Sequence, residues 1–184
     1  ENMASNSKLS ISLSKKEEGN KAFTDKNYDL AEKSYTEGLS SLKPSNPEMK
    51  QLMVVLFTNR AATYLAVKAW DNALQDCLSA LQIDSNHEKA IYRQAQALEG
   101  KEVYGEAFKT MKELVQRNPK NKVWVNGARR CKEKLEGTIV SKTPIVAIID
   151  ALKDESPNGV HNLKVFISAT QEDEVASLDA FSNG

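Results

Sequence analysis

An internal repeat of 34 residues is the feature of this sequence that most constrains its fold. Three stretches align without internal gaps, and they begin at Gly19, Ala61 and Ala95. A second column of small residues consists of Ala31, Ala73 and Ala107, and a column of aromatic residues consists of Tyr28, Trp70 and Tyr104. Ala73 and Ala107 are 34 residues apart, whereas Ala31 and Ala73 are 42 apart, because eight extra residues separate the first two units. The chain is therefore expected to stack three similar structural units.

Each unit is predicted to contain two helices. Apolar residues recur at three- and four-residue spacing on both sides of a polar break, which falls at 25–27, 68–69 or 100–102. Small residues suit the point where two helices cross at about 8–10 Å, because a large side chain does not fit there. Helical hairpins of this kind bury their apolar faces by stacking, which gives a solenoid with a concave groove lined by the first helix of each pair. The expected fold class is all-α.

Composition excludes several classes of function. Lys+Arg and Asp+Glu both number 25, so no net charge favours a nucleic acid or an anionic membrane, and we predict neither as a partner. Cys77 and Cys131 have no CxxC spacing, and His87 and His161 have no second ligand at a metal-binding spacing, so no metal site and no cofactor are expected. No apolar run reaches the roughly 20 residues of a membrane span. These features predict a cytoplasmic protein. Because no catalytic motif is present, we also predict that the protein is not an enzyme.

Five polar residues of the predicted first helices indicate what the groove binds. Lys16 and Asn20 are four residues apart, as are Lys89 and Arg93, and Asn59 lies on the helix between them. A spacing of four places two side chains on one face of a helix. Three cations and two amides would then converge without an acid among them. Such a set of donors is suited to carboxylate or phosphate, and the C-terminal Asp of a peptide supplies two carboxylates within one residue.

The columns of small and aromatic residues resemble the tetratricopeptide repeat. The resemblance places three repeats at 12–45, 54–87 and 88–121, preceded by a disordered lead-in at 1–11. It also implies a capping helix, for which we expect residues 122–142 with an apolar face of Val123, Val125, Cys131 and Leu135.

The polar set resembles the two-carboxylate clamp of co-chaperone tetratricopeptide domains, carried here by the strings KKEEGNKAF, FTNRAATYL and EKAIYRQAQAL. That resemblance implies binding of the C-terminal EEVD peptide of the 90-kDa and 70-kDa heat-shock chaperones. It assigns the terminal carboxylate to Lys16, Asn20 and Asn59. Lys89 would hold the Asp side chain, with Arg93 supporting the peptide. Phe23 and Ala62 match positions that contact apolar side chains of the peptide.

Residues 143–184 depart from the repeat pattern and are predicted to form short apolar helices, similar to the start of an armadillo-like region. A clamp domain, a bridging helix and an armadillo-like region occur in this order in the UCS family of myosin-directed chaperones. The resemblance implies that the chain is an N-terminal fragment whose myosin-binding part lies beyond it. Two other hypotheses remain open: a targeting domain of an enzyme whose catalytic part is absent, and a scaffold that binds internal peptide segments.

Overall fold

The computed structural model describes residues 2–44 and 46–142, and every regular element within them is a helix. In chain order the helices are α1 (Asn2–Thr24), α2 (Tyr28–Ser40), α3 (Pro47–Ala66), α4 (Trp70–Ile83), α5 (Glu88–Gly100), α6 (Tyr104–Arg117) and α7 (Lys122–Lys142). The first six pair as three hairpins, and α2 packs on α3 as α4 packs on α5. The prediction of an all-α array of three hairpins followed by a further helix is confirmed. The armadillo-like helices predicted for 143–184 lie outside the described residues.

The columns of small residues lie at the helix crossings. No surface of their side chains is exposed in any of Ala31, Ala61, Ala73, Ala95 and Ala107. An alanine at a crossing lets two helix backbones approach closely while still burying a methyl group. These residues are therefore structural, as the repeat pattern predicts.

The three hairpin turns share one backbone conformation. Lys26, Lys68 and Glu102 lie at equivalent points of successive turns and have φ values of 60°, 61° and 63°. This left-handed conformation ends the first helix of each pair and reverses the chain. After the first turn, the side chain of Asn27 accepts a hydrogen bond from the backbone N–H of Leu30 and thereby caps α2.

The eight extra residues of the second unit lengthen a helix. Asn46 caps α3 by accepting from the backbone N–H of Met49, and Pro47 occupies the first turn, where a missing N–H costs nothing. Met49 and Leu52 of the added turns are buried in the same apolar cluster as Tyr35. The insertion therefore strengthens the packing between α3 and the first hairpin.

The structure differs from the predicted disordered lead-in at residues 1–11, because α1 already begins at Asn2. No proline or glycine interrupts the chain between Asn2 and Gly19, and Leu9 packs against the apolar cluster of the first hairpin. The fully buried hydroxyl of Ser12 donates a 2.8 Å hydrogen bond to the carbonyl oxygen of Gly38. Tertiary packing therefore continues the helix through a polar stretch that has weak helix propensity of its own.

The buried face of α7 is only partly the expected one: Cys131 is buried and Leu135 partly buried as predicted, but the two valines are not. Trp124 and Cys131 are buried, whereas 57% of Val123 and 39% of Val125 are exposed. Positions 124, 127, 128 and 131 follow helical spacing, and the two valines lie about 100° to either side of Trp124. Contacts divide the chain into two compact units, 1–132 and 133–184, so the division falls within α7. The repeat boundaries and the capping helix over 122–142 remain proposals.

Candidate functional site

A pocket of about 210 Å³ lies between the first helices of the three hairpins. We call it the groove pocket. It is lined by Asn20, Phe23 and Thr24 of α1, Tyr35 of α2, Asn59 and Ala62 of α3, and Arg93 of α5. Five of the seven residues singled out from the sequence therefore lie together. Thr24 and Tyr35 were not predicted.

The two predicted lysines do not line the groove pocket itself. Lys16 lies one helical turn before Asn20 on α1, and Lys89 lies one turn before Arg93 in the first turn of α5. Lys89 is exposed and Lys16 is partly exposed. Helical spacing places each lysine on the same face as the pocket-lining residue that follows it. Both ammonium groups can therefore approach a ligand that extends from the pocket.

A hydrogen-bond network fixes the amide of Asn20. Its Oδ1 accepts a 2.8 Å bond from the hydroxyl of Tyr35 and a 2.9 Å bond from Nδ2 of Asn59. An amide oxygen has two lone pairs, and both are used here. The Nδ2 group of Asn20 is therefore the part of the amide left to meet a ligand. Side chains from α1, α2 and α3 meet at this point.

The hydroxyl of Tyr35 keeps its proton. Only 2% of the residue is exposed, and this burial raises the pKa of Tyr35 to about 12, although the nearby charge of Arg93 and a hydrogen bond from Asn59 oppose the shift. At neutral pH the hydroxyl is consequently a donor. Its hydrogen bond to Asn20 is present throughout the physiological range.

Arg93 connects α5 to α3. Its Nη1 donates to the backbone carbonyl oxygen of Thr58 at a distance of 2.5 Å. Burial lowers the pKa of the Arg93 guanidinium below its ordinary value, an effect opposed by the neighbouring Cys77 and Tyr35. A guanidinium still remains charged at any physiological pH and carries five N–H donors. Most of those donors are left for a ligand.

The groove cations differ from two arginines elsewhere in the array, Arg60 and Arg130, which both have an acid partner. Arg60 forms a two-point ion pair with Asp76, and Arg130 forms one with Glu99. In the part of the chain that the structure describes, no carboxylate pairs with Arg93. The same is true of the groove lysines, Lys16 and Lys89. A largely buried cation without a counter-ion costs free energy, and a bound anion would offset that cost.

The apolar part of the groove pocket is formed by Phe23 and Ala62. The ring of Phe23 meets the ring of Tyr28 edge to face, with 5.7 Å between centroids. That contact orients the phenyl ring where it lines the pocket. A small aliphatic side chain placed beside the amide and guanidinium donors of the pocket would contact these two residues.

Metal chemistry finds no support in the described residues, where no group of three or more His, Cys, Asp or Glu side chains is placed to hold an ion. Within the same residues, no helix has the length and apolar character needed to cross a membrane. The groove pocket brings amide, guanidinium and hydroxyl groups beside apolar side chains, an arrangement suited to binding a polar ligand.

Tyr35 could have been recognised in the sequence. It occupies a column whose other members are Cys77 and Met111, both fully buried. A tyrosine in a buried column carries a hydroxyl that needs a partner. The candidates for that partner were the polar residues spaced by four on the preceding helix, which include Asn20.

Comparison with known proteins places the fold among tetratricopeptide domains, although no protein-family model matches the chain. Protein unc-45 homolog B of Danio rerio is 31% identical over 151 residues, which cover 80% of this chain and 16% of that protein. The chain thus spans about a sixth of the length of this relative.

Two solved structures with bound peptides are similar to the chain. The first tetratricopeptide domain of Spaghetti (RPAP3), bound to the HSP90 peptide SRMEEVD, is 30% identical with a TM-score of 0.61, over 70% of this chain and 98% of that one. The myosin chaperone UNC-45 of C. elegans, in complex with a Hsp90 peptide, is 29% identical with a TM-score of 0.64. That match covers 78% of this chain and 15% of UNC-45.

Proposed function

The chain belongs to the tetratricopeptide-repeat family, and on that premise we propose that it is a co-chaperone adaptor binding the C-terminal EEVD peptide of the 90-kDa or 70-kDa heat-shock chaperone. The observation that carries the proposal is the largely buried Arg93, which has no carboxylate partner among the described residues and stands beside amide donors. A terminal Asp offers two carboxylates to such a set. The adaptor would act in the cytoplasm and without catalysis.

The lining of the groove pocket supports the assignment of different residues to the two carboxylates. Asn20 and Asn59 lie within hydrogen-bond distance of each other and, with Lys16 one turn before Asn20, would bind the terminal carboxylate. Lys89 and Arg93 on α5 would bind the Asp side chain. Phe23 and Ala62 would contact the valine that precedes the Asp.

Fluorescence anisotropy tests the proposal. A peptide ending in EEVD with an N-terminal fluorophore is expected to bind with micromolar affinity, about −7 to −8 kcal/mol, as a short segment that is ordered on binding. A peptide ending in EEVN lacks one carboxylate and is expected to bind at least about tenfold more weakly. Equal affinity for the two peptides would contradict the two-carboxylate assignment.

Myosin is the client that we propose for this adaptor. Support comes from the similarity to UNC-45, a myosin chaperone, and to an unc-45 homolog. The proposal predicts that a protein containing this chain forms a complex with the heat-shock chaperone and a myosin motor domain at the same time. Size-exclusion chromatography of the three purified components tests this. The chaperone should no longer elute with the complex when Lys89 is changed to Glu.

A further inference from the structure

We infer that Tyr35 is a positioning residue for the clamp: its buried hydroxyl holds the amide of Asn20 so that this residue presents its NH₂ group to the groove pocket. The inference rests on the proposed function, since it explains how the pocket would select a free carboxylate. Tyr35 itself need not touch the peptide. It lies on α2, whereas the residues assigned to the carboxylates lie on α1, α3 and α5.

The orientation of the Asn20 amide follows from its two hydrogen bonds. Tyr35 and Asn59 both donate to Oδ1, at 2.8 and 2.9 Å. A 180° rotation of the amide would place its NH₂ group against the NH₂ group of Asn59, which loses that bond, and the hydroxyl of Tyr35 would have to accept instead of donate. Without the hydroxyl of Tyr35, one of the two restraints disappears, and the rotated amide becomes accessible. Asn20 could then offer an acceptor as well as a donor.

Packing holds Tyr35 rigidly enough for this role. The residue is 2% exposed and belongs to the apolar cluster of the first hairpin. Its ring lies against the backbone of Gly19, where an added Cβ would be only 2.5 Å from Cε1. The hydroxyl therefore has a fixed place beside Asn20, which immediately follows Gly19 in the chain.

The consequence is a preference for ligands that only accept hydrogen bonds. A carboxylate has no donors, whereas a carboxamide of the same shape carries an NH₂ group. Facing the Nδ2 group of Asn20, that NH₂ group would find no acceptor on this residue, and an unsatisfied donor costs more than a lost bond alone. Tyr35 would thus increase discrimination between free and amidated C-termini.

The matched test compares Tyr35→Phe with Tyr64→Phe in the whole chain. Tyr64 is also buried, and its hydroxyl donates to Oε1 of Glu32 at 2.9 Å, but it does not line the groove pocket. Calorimetry with EEVD peptides in free-acid and C-terminally amidated form gives an affinity ratio for each protein. Tyr35→Phe should weaken free-acid binding about threefold to tenfold, the effect of one hydrogen bond, and reduce the ratio at least about threefold. Tyr64→Phe should leave the ratio unchanged.

A readout without peptide separates this inference from the proposed function. The side-chain amide of Asn20 should give a dispersed pair of ¹⁵N–¹H signals in the free protein, identified by their absence in Asn20→Asp. In Tyr35→Phe these signals should shift toward those of exposed asparagines, and in Tyr64→Phe they should not. An unchanged Asn20 signal or an unchanged affinity ratio in Tyr35→Phe would overturn the inference. If the parent chain bound neither peptide, the proposed function would fail, and the Asn20 signals would still decide whether Tyr35 positions the amide.

Discussion

Gly19 lies directly against the ring of Tyr35: a Cβ built on Gly19 would stand 2.5, 2.7 and 2.9 Å from three carbons of that ring. The same tyrosine donates a hydrogen bond to Asn20, the next residue along α1. The small residue required by the repeat and the polar residue of the groove therefore both contact the same side chain, that of Tyr35. Repeat packing and site geometry cannot be changed independently here.

Gly19→Ala is the first test of this coupling. The extra methyl group must displace the buried ring of Tyr35, and overpacking of this kind costs about 1–3 kcal/mol of unfolding free energy. Because the displaced ring carries the hydroxyl that holds Asn20, peptide affinity should fall as well. Urea denaturation and calorimetry on the same sample measure the two effects.

Gly137→Ala is the matched control for that substitution. Gly137 is also helical, on α7, and within the described residues no atom outside its own stretch of helix lies within 4 Å of an added Cβ. Alanine is the better helix former by about 1 kcal/mol, so stability should be unchanged or slightly higher and affinity unchanged. Equal effects of the two substitutions would show that the contact between Gly19 and Tyr35 is not the cause.

Lys89→Glu should remove peptide binding without destabilising the fold. Lys89 is exposed in the first turn of α5, and no ion pair within the described residues involves it. Glutamate there would repel the peptide carboxylates, so affinity should fall by more than about tenfold, while the melting temperature changes little. Lys112→Glu on α6 makes the same charge change outside the groove pocket and should bind like the parent. A fall in melting temperature with Lys89→Glu would show that the residue supports the fold.

Arg93→Ala should lower both stability and affinity, in contrast to Lys89→Glu. The guanidinium is largely buried and donates to the carbonyl oxygen of Thr58, so its removal loses a charged hydrogen bond between α5 and α3. Such bonds contribute about 1.5–3 kcal/mol. Urea denaturation measures the loss, and Arg93→Lys, which keeps the charge without the fork of donors, should recover only part of the affinity. Unchanged stability in Arg93→Ala would mean that the bond to Thr58 contributes nothing.

On α1 and α5 the sequence was sufficient to place polar residues on one helix face, but not to predict the contacts between helices. Lys16 and Asn20, like Lys89 and Arg93, could be placed together because a spacing of four defines a helical face. The hydrogen bond from Tyr35 to Asn20 depends on the depth and direction of a side chain from another helix, which periodicity does not specify. The same limit applies to Trp70 of the aromatic column, whose ring packs on the backbone of Gly100 in the next hairpin.

The face of α7 shows a second limit of sequence reasoning. Val123 and Val125 are the more apolar residues, yet the helix buries Trp124 between them. A helix that packs at the end of an array buries only one narrow stripe, and the largest side chain determines which one. Composition alone does not identify that stripe.

His87 should make the stability of the repeats depend on pH. Its Nδ1 accepts a hydrogen bond from the backbone N–H of Ala90 and caps α5, which requires the neutral ring. Burial lowers the pKa of His87, and the positive charges of Lys89 and Arg93 act in the same direction against Asp84 and Glu88. The unfolded chain therefore takes up a proton first as pH falls. Stability should be complete above the unfolded-state pKa of about 6.5 and decline as pH falls through the lower pKa of the folded state.

The control for the pH effect is His87→Ser, which keeps a capping oxygen but does not titrate near neutrality. Chemical denaturation at a series of pH values from 5 to 8 should give a flatter stability profile for this variant than for the parent. Parallel profiles would show that another group causes the decline.

The most direct test of the central claim is isothermal titration of the chain with a peptide ending in EEVD, with a free C-terminus and with a C-terminal amide. The account predicts micromolar binding of the free acid and at least about tenfold weaker binding of the amide. The groove cations have no carboxylate partner among the described residues, and the amide removes one of the two carboxylates that the peptide would supply. Equal affinity for the two peptides would contradict the carboxylate clamp and favour a scaffold that binds internal peptide segments.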